Sequence, residues 1–229
     1  MPIDELLTLK MAREMFPPLY AILDPDFTTL PLPQLATSLA AAGVQLMQLR
    51  CKRASAARMH ALASELAILL QPKGVRLIVN DRADVAELSG ASGVHVGQED
   101  LPVEDARRFC APPLWVGVST HNLEQLREAD QTSADYIAVG PVFHTGTKAN
   151  PDPVVGVEFV KAARRLSRKP LVAIGGITLE SAAEVFRAGA DSLAVISDLI
   201  AAPDPAQRAA EYLAIASTER TNRDREHSE

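Results

Sequence analysis

Residues 39–50 read LAAAGVQLMQLR, and residues 185–197 read VFRAGADSLAVIS. Each is the end of an apolar helical stretch, a glycine, a short link, and a compact apolar run that finishes in polar residues. Glycine stops a helix because it enters the left-handed conformation without a Cβ clash. A short run rich in Val, Ile and Leu, with no polar alternation, suits a parallel strand covered on both faces. The unit is therefore helix, stop, strand, and its recurrence is the rhythm of a barrel of repeated βα units.

Working outward from these two segments, eight such runs can be marked: LYAIL from Leu19, LMQLR from Leu46, RLIVN from Arg76, GVHVG from Gly93, WVGVS from Trp115, YIAVG from Tyr136, LVAIG from Leu171 and SLAVIS from Ser192. Amphipathic stretches lie between them, among them Ser55–Leu70, Asn122–Ala129, Val157–Leu166 and Thr178–Ala188, with stop glycines at Gly43, Gly74, Gly90 and Gly189. Eight βα units predict an α/β fold closed into a (β/α)8 TIM barrel. An open doubly wound sheet alternates in the same way, but it usually has fewer strands and a glycine-rich first turn. Here the first strand runs into LDPDF instead. An extra N-terminal helix, Glu5–Met15, is expected to cover the barrel bottom or edge. Residues 1–216 are read as a single barrel domain, and the charged tail 217–229 as disordered.

With 229 residues, 47% of them hydrophobic, the chain can bury one large core. A net charge of −6 with interspersed signs offers no basic face to nucleic acid or an anionic membrane. No stretch approaches the roughly 18 unbroken apolar residues of a spanning helix, and the N-terminus has no secretory h-region. The expected partners are small molecules or a second copy of the chain, and the expected compartment is the cytoplasm. Cys51 and Cys110 are too few for a disulfide framework and are read as reduced thiols.

In such barrels the chemistry sits at the C-terminal ends of the strands. The second strand ends Gln48-Leu49-Arg50-Cys51-Lys52, and alternation sends Gln48, Arg50 and Lys52 to one side. Arg and Lys suit phosphate oxygens; the competing reading is a surface ion-pair face. The third and fourth strands stop at Asn80-Asp81-Arg82 and Gly97-Gln98-Glu99-Asp100. Asp81 and Asp100 meet the sparse requirement of Mg²⁺ for one or two carboxylates. Equally, each acid stands where a helix N-cap is favoured. Ser119 and His121 follow the fifth strand, and a Pro- and Gly-containing loop from Thr145 to Gly156 carries Thr147 and Lys148. Loops this long in a compact barrel often close over ligands. Gly175-Gly176 and Ile196-Ser197 end the seventh and eighth strands, the usual phosphate position. The rim thus suggests two anion sites, a diphosphate with Mg²⁺ near strands two to four and a monophosphate near strands seven and eight. None of the histidines has zinc-ligand spacing, His121 stands open between structure and site, and alternation aims Cys51 away as an inert thiol.

Seven segments, QLRCK, IVNDR, GVHVGQEDLP, GVSTH, ADYIAVGPVFHTGTK, IGGIT and VIS, occur in an order that resembles thiamine-phosphate synthases, from about Leu19 to Ile200. The resemblance implies a transferase of thiamine biosynthesis that joins a hydroxymethylpyrimidine diphosphate to a thiazole phosphate. Gln48, Arg50, Lys52, Asn80, Ser119 and Lys148 would bind the diphosphate substrate, with Arg50, Lys52, Ser119 and Lys148 acting in catalysis. Asp81 and Asp100 would hold one Mg²⁺ per site, and Thr145, Thr147, Gly176, Ile196 and Ser197 would bind the thiazole phosphate. It further implies dissociative loss of pyrophosphate through a carbocation, and a homodimer as the family's habit. Related thiazole tautomerases share the barrel without the coupling reaction. A phosphosugar isomerase and a non-catalytic phosphate sensor are the competing classes.

Overall fold

The structure, a computed structural model, describes residues 11, 13, 15–146 and 152–226. Its strands are β1 (Leu19–Leu23), β2 (Leu46–Leu49), β3 (Arg76–Asn80), β4 (Gly93–Val96), β5 (Trp115–Thr120), β6 (Tyr136–Val139), β7 (Leu171–Ile174) and β8 (Ser192–Val195). They pair in parallel and in chain order, and β8 returns to β1, so the sheet is a closed barrel. Each strand begins at the residue where the sequence placed it.

The crossovers are α1 (Leu32–Ala41), α2 (Ala56–Leu70), α3 (Ala83–Ser89), α4 (Val103–Phe109), α5 (Leu123–Gln131), α6 (Gly156–Leu166) and α7 (Leu179–Arg187). After β8 come a single turn, α8 (Ser197–Ile200), and the long α9 (Pro205–Glu226). Side chains on Ser55 and Asn122 cap α2 and α5 by accepting from the backbone N–H groups of Arg58 and Gln125. All four stop glycines read from the sequence are left-handed. Among the described residues no helix is long and apolar enough to cross a membrane.

Alternation splits the core in two. The larger part packs the outer faces of the strands against the helices. The smaller fills the barrel itself, with Tyr20, Ile22, Leu46, Ile78, Tyr136, Ala138, Val172 and Ala194 turned inward and Phe16 closing the floor. Phe16 stacks on Trp115 with ring centroids 5.3 Å apart, and the Arg76 guanidinium lies over the Trp115 ring, 4.2 Å from its centroid. The chain before β1 therefore seals the floor through Phe16; the expected helix Glu5–Met15 falls almost wholly outside the described residues. Gly117 makes room for the largest inward ring, since a Cβ there would stand 2.0 Å from Tyr136 Cζ.

The C-terminal expectation needs correcting. Instead of disorder from Ser217, α9 continues to Glu226 because its charged residues reach the barrel. Glu219 pairs with Arg187 of α7 at 2.6 Å, and Arg220 and Arg223 donate to the carbonyls of Phe16 and Phe186. Arg223 also joins Arg13 and Arg164 around the buried carboxylate of Asp191, just before β8.

Gly117→Ala is expected to push Tyr136 out of place and to lower stability by about 1–3 kcal/mol, read from the midpoint of chemical denaturation at unchanged m-value.

Candidate active site

The mouth is built by residues that leave adjacent strands at one level. Arg50 N–H donates to Leu23 O at 2.9 Å, which extends the β1–β2 ladder and sets Asp24 beside Arg50. The Asp24 carboxylate is fully buried and forms an ion pair with the Arg50 guanidinium, whose side chain is 16% exposed. Its other oxygen accepts from Asp26 N–H at 3.0 Å. A buried carboxylate of this kind holds Arg50 against the rim with its remaining donors free to turn outward. Sequence reading passed over Asp24; the signal was an acid directly after a strand, in register with an Arg after the next strand.

Lys52 Nζ lies 2.5 Å from Asp81 Oδ2, at the end of β3. Asp81 has φ of 64°, a left-handed conformation that a non-glycine residue adopts at a cost of about 1–2 kcal/mol. Such strain persists where surrounding contacts enforce it, and Asp81 N–H is pinned to His95 O at 2.8 Å. Asp100, beyond β4, accepts from Gly97 N–H at 2.7 Å through Oδ2. Partial burial and the neighbouring Asp81 carboxylate raise its pKa, with Gly97 N–H and Lys52 opposing. The capping reading of both acids fails, because the N-caps of α3 and α4 are Arg82 and Pro102. Two neighbouring carboxylates, with the Lys52 ammonium on Asp81, form a donor set that suits a hard divalent cation completed by water and ligand oxygens. Among the described residues no group of three His, Cys, Asp or Glu side chains gathers to hold a metal.

Below this rim the strand ends are polar. Gln48, Asn80 and His95 are buried, and Ser119 is half-buried. His95 pairs in register with Asn80 on one side and Gly117 on the other. Its Nε2 lies 2.8 Å from Ser119 Oγ, while Gln98 Nε2 donates to Ser119 O at 2.6 Å. Burial lowers the His95 pKa to about 4, against a smaller opposing pull from Asp100, so the imidazole is neutral near pH 7. In the sequence His95 stands between Val94 and Val96, and the structure turns it inward.

On the opposite side, Val142 and Phe143 N–H groups donate to Ile174 O and Gly175 O, both at 2.9 Å. The loop after β6 is thereby strapped to the turn after β7. Gly176, at φ 64°, is required twice over: a Cβ would stand 2.3 Å from His144 O. Thr145 follows this strap, and Ile196 and Ser197 lead into α8 at the end of β8. Thr147 and Lys148 lie outside the described residues. His121 is spoken for structurally: its Nδ1 donates to Gly140 O at 2.6 Å, and Nε2 is 3.5 Å from Asp152 Oδ2. Cys51 is 4% exposed, and burial, followed by Asp24 and Asp26, pushes its thiol up to about 11. That fits the inert reading.

Comparison with known proteins adds independent findings. Residues 19–199 match the family model described as thiamine monophosphate synthase. A thiamine-phosphate synthase of Koribacter versatilis is 52% identical over 205 residues, covering 87% of this chain and 95% of that protein. One of Methanospirillum hungatei is 44% identical over 171 residues, covering 75% and 83%. Among solved structures, a thiamine phosphate pyrophosphorylase from Pyrococcus furiosus superposes with a TM-score of 0.82 at 32% identity, over 91% of this chain and 98% of that one.

Two measurements check the geometry. Arg50→Met, which strands the buried Asp24 carboxylate, is expected to cost about 3–5 kcal/mol of stability, whereas Lys52→Met at its exposed pair costs about 1 kcal/mol or less. Cys51 in the folded protein should resist alkylation by iodoacetamide at pH 8 and react fully once denaturant is added, as intact-mass spectra will show.

Proposed function

This chain belongs to the thiamine monophosphate synthase family and is a transferase of that class, and we propose from this premise that it makes thiamine phosphate by coupling 4-amino-2-methyl-5-hydroxymethylpyrimidine diphosphate to a (carboxy)methylthiazole phosphate. The observation that carries the reading is the juxtaposition at one rim of the Asp24-held Arg50, Lys52, and the adjoining carboxylates of Asp81 and Asp100. A monophosphate needs no such set. A diphosphate that leaves with its charge does.

In this reading Gln48, Asn80 and Ser119 orient the pyrimidine at the top of the barrel interior. Arg50 and Lys52 bind the diphosphate oxygens, joined by Lys148 from the loop after β6. Asp81 and Asp100 hold one Mg²⁺, which supplies charge neutralisation to the departing pyrophosphate. Lys52 then exchanges its contact with Asp81 for one with the diphosphate. Thr145, Thr147, Gly176, Ile196 and Ser197 hold the thiazole phosphate on the far side, with backbone N–H groups near the glycine turn as donors.

The C–O bond between the pyrimidine methylene and the diphosphate breaks with its electron pair leaving on oxygen. The methylene carbocation is stabilised by the aminopyrimidine, and the thiazole nitrogen lone pair then forms the new C–N bond. Nitrogen becomes quaternary without releasing a proton, and where the thiazole carries a ring carboxylate that group leaves as CO2 while the vacated carbon takes a proton from solvent, so the protein supplies no strong base. That agrees with a rim whose inward imidazole is neutral and weakly basic, and whose adjacent thiol is buried. Catalysis rests on placing two substrates and on stabilising charge as it develops. We place this work in the cytoplasm, and the family's habit of dimerisation extends to this chain as part of the same proposal.

Incubated with both substrates and Mg²⁺, the purified protein should release pyrophosphate and yield thiamine phosphate by mass, and EDTA should abolish both. Asp100→Asn should lower turnover on the order of 100-fold at fixed Mg²⁺, with partial recovery at higher Mg²⁺. Binding of the thiazole phosphate without any coupled product would instead point to a tautomerase-like barrel or a sensor.

A further inference from the structure

Five polar side chains from five strands meet inside the barrel. Gln48 Nε2 donates to Tyr20 Oη at 2.9 Å, and Tyr20 Oη lies 2.9 Å from Tyr136 Oη. Tyr136 Oη is 3.0 Å from His95 Nδ1, and His95 Nε2 is 2.8 Å from Ser119 Oγ. Tyr20 and Tyr136 are 1% and 0% exposed, and burial raises both phenol pKa values, so each keeps its single hydrogen. The two ends of the chain, Gln48 and Ser119, are residues of the proposed pyrimidine site. The three links between them, Tyr20, Tyr136 and His95, touch neither substrate in the proposed coupling reaction.

Counting hydrogens gives the chain a direction. Tyr20 oxygen receives a hydrogen from Gln48, so its own hydrogen goes to Tyr136. Among the described residues Tyr136 then has only His95 Nδ1 to donate to, which leaves Nδ1 without a hydrogen. The neutral ring carries its one hydrogen on Nε2 and gives it to Ser119 Oγ. Ser119 accepts there, and its hydroxyl hydrogen is left for the mouth. An imidazole with hydrogen on Nδ1, neutral or charged, would turn Tyr136 toward Tyr20 and leave the Tyr20 hydrogen buried without an acceptor. Turning the Gln48 amide over would accommodate it, and with a neutral ring every bond in the chain would then reverse. The amide orientation of Gln48, the tautomer of His95 and the donor role of Ser119 are therefore one variable, not three.

We propose that Tyr20, Tyr136 and His95 are positioning residues that form a one-way hydrogen-bond relay, fixing Gln48 with its Oε1 and one Nε2 hydrogen available to a ligand and making Ser119 a hydrogen-bond donor to it. The matching ligand edge places an exocyclic amine beside a ring nitrogen, opposite Gln48, and an acceptor opposite Ser119. An amino-substituted N-heteroaromatic bearing an oxyanion leaving group has this arrangement. The ligand assignment rests on the proposed coupling reaction; the relay itself does not.

The test uses the full chain with ¹⁵N-labelled histidine at pH 7.5 and no substrate, with the His95 signals identified by their loss in His95→Gln. The expected result is a ring with hydrogen on Nε2 and a bare Nδ1; hydrogen on Nδ1 overturns the relay. In Tyr136→Phe the donor to Nδ1 is gone, and an Nδ1–H population should appear; an unchanged tautomer would overturn the claim that Tyr136 imposes the direction. These spectra are read without turnover, so they fail or succeed separately from the synthase assay. In the active enzyme, Tyr20→Phe should raise KM for the pyrimidine diphosphate about tenfold, the loss of one hydrogen bond's orientation, while KM for the thiazole phosphate and kcat hold within about twofold. Equal losses toward both substrates would make Tyr20 merely structural and overturn its positioning role.

Discussion

Leu193 N–H donates to Pro18 O at 3.0 Å, and Leu19, Tyr20 and Ala21 stand opposite Leu193, Ala194 and Val195, so the last strand lies against the first. A parallel sheet that closes this way has no edge, and every strand must then be filled from inside as well as covered from outside. The inner layer is small, and it is contributed by alternating positions that the register brings to one level. Two tyrosines and a histidine fit there only because Gly117 leaves the space and because their polar atoms pair with one another. Closure thus produces, from the same residues, both the barrel's packing and the polar platform at its mouth.

The two ends of the barrel use charge differently. Near the start of β8, Asp191 is surrounded by Arg13, Arg164 and Arg223 and also accepts from Leu171 N–H at 2.9 Å. That carboxylate is saturated, and it ties three distant parts of the chain to the strand ends. At the mouth the balance is left open. Asp24 anchors Arg50 from below, while Lys52, Asp81 and Asp100 stand at the rim with a strained backbone at Asp81 and a raised carboxyl at Asp100. Unfavourable local conformation and adjoining like charges persist where binding relieves them, which is why such features cluster at functional sites.

Much of this was legible in the sequence, and for identifiable reasons. The strands were visible because burial on both faces makes each one a short unbroken apolar run, and the rim residues because they directly follow those runs. Asp24 was not visible as a partner for Arg50, since strand register, not sequence spacing, brings the two together. Nor was the inward turn of His95, whose neighbours Val94 and Val96 look alike from either face. The helical end of the chain was not legible because its contacts come from Glu219, Arg220 and Arg223, charged residues that composition counts as solvated and that the fold pairs with Arg187 and with the carbonyls of Phe16 and Phe186.

The amino-acid order by itself determined the eight βα units, their stops, and which residues stand at the strand ends, because those depend on local periodicity and on what each side chain can do within its own segment. Only the tertiary structure decided which of those residues touch. The anchoring of Arg50 and the five-residue chain from Gln48 to Ser119 each depend on groups between 24 and 116 positions apart that closure of the barrel sets within hydrogen-bond reach. A hydrogen bond acts over about 3 Å in space regardless of separation along the chain, and the register of a closed sheet is what converts one into the other.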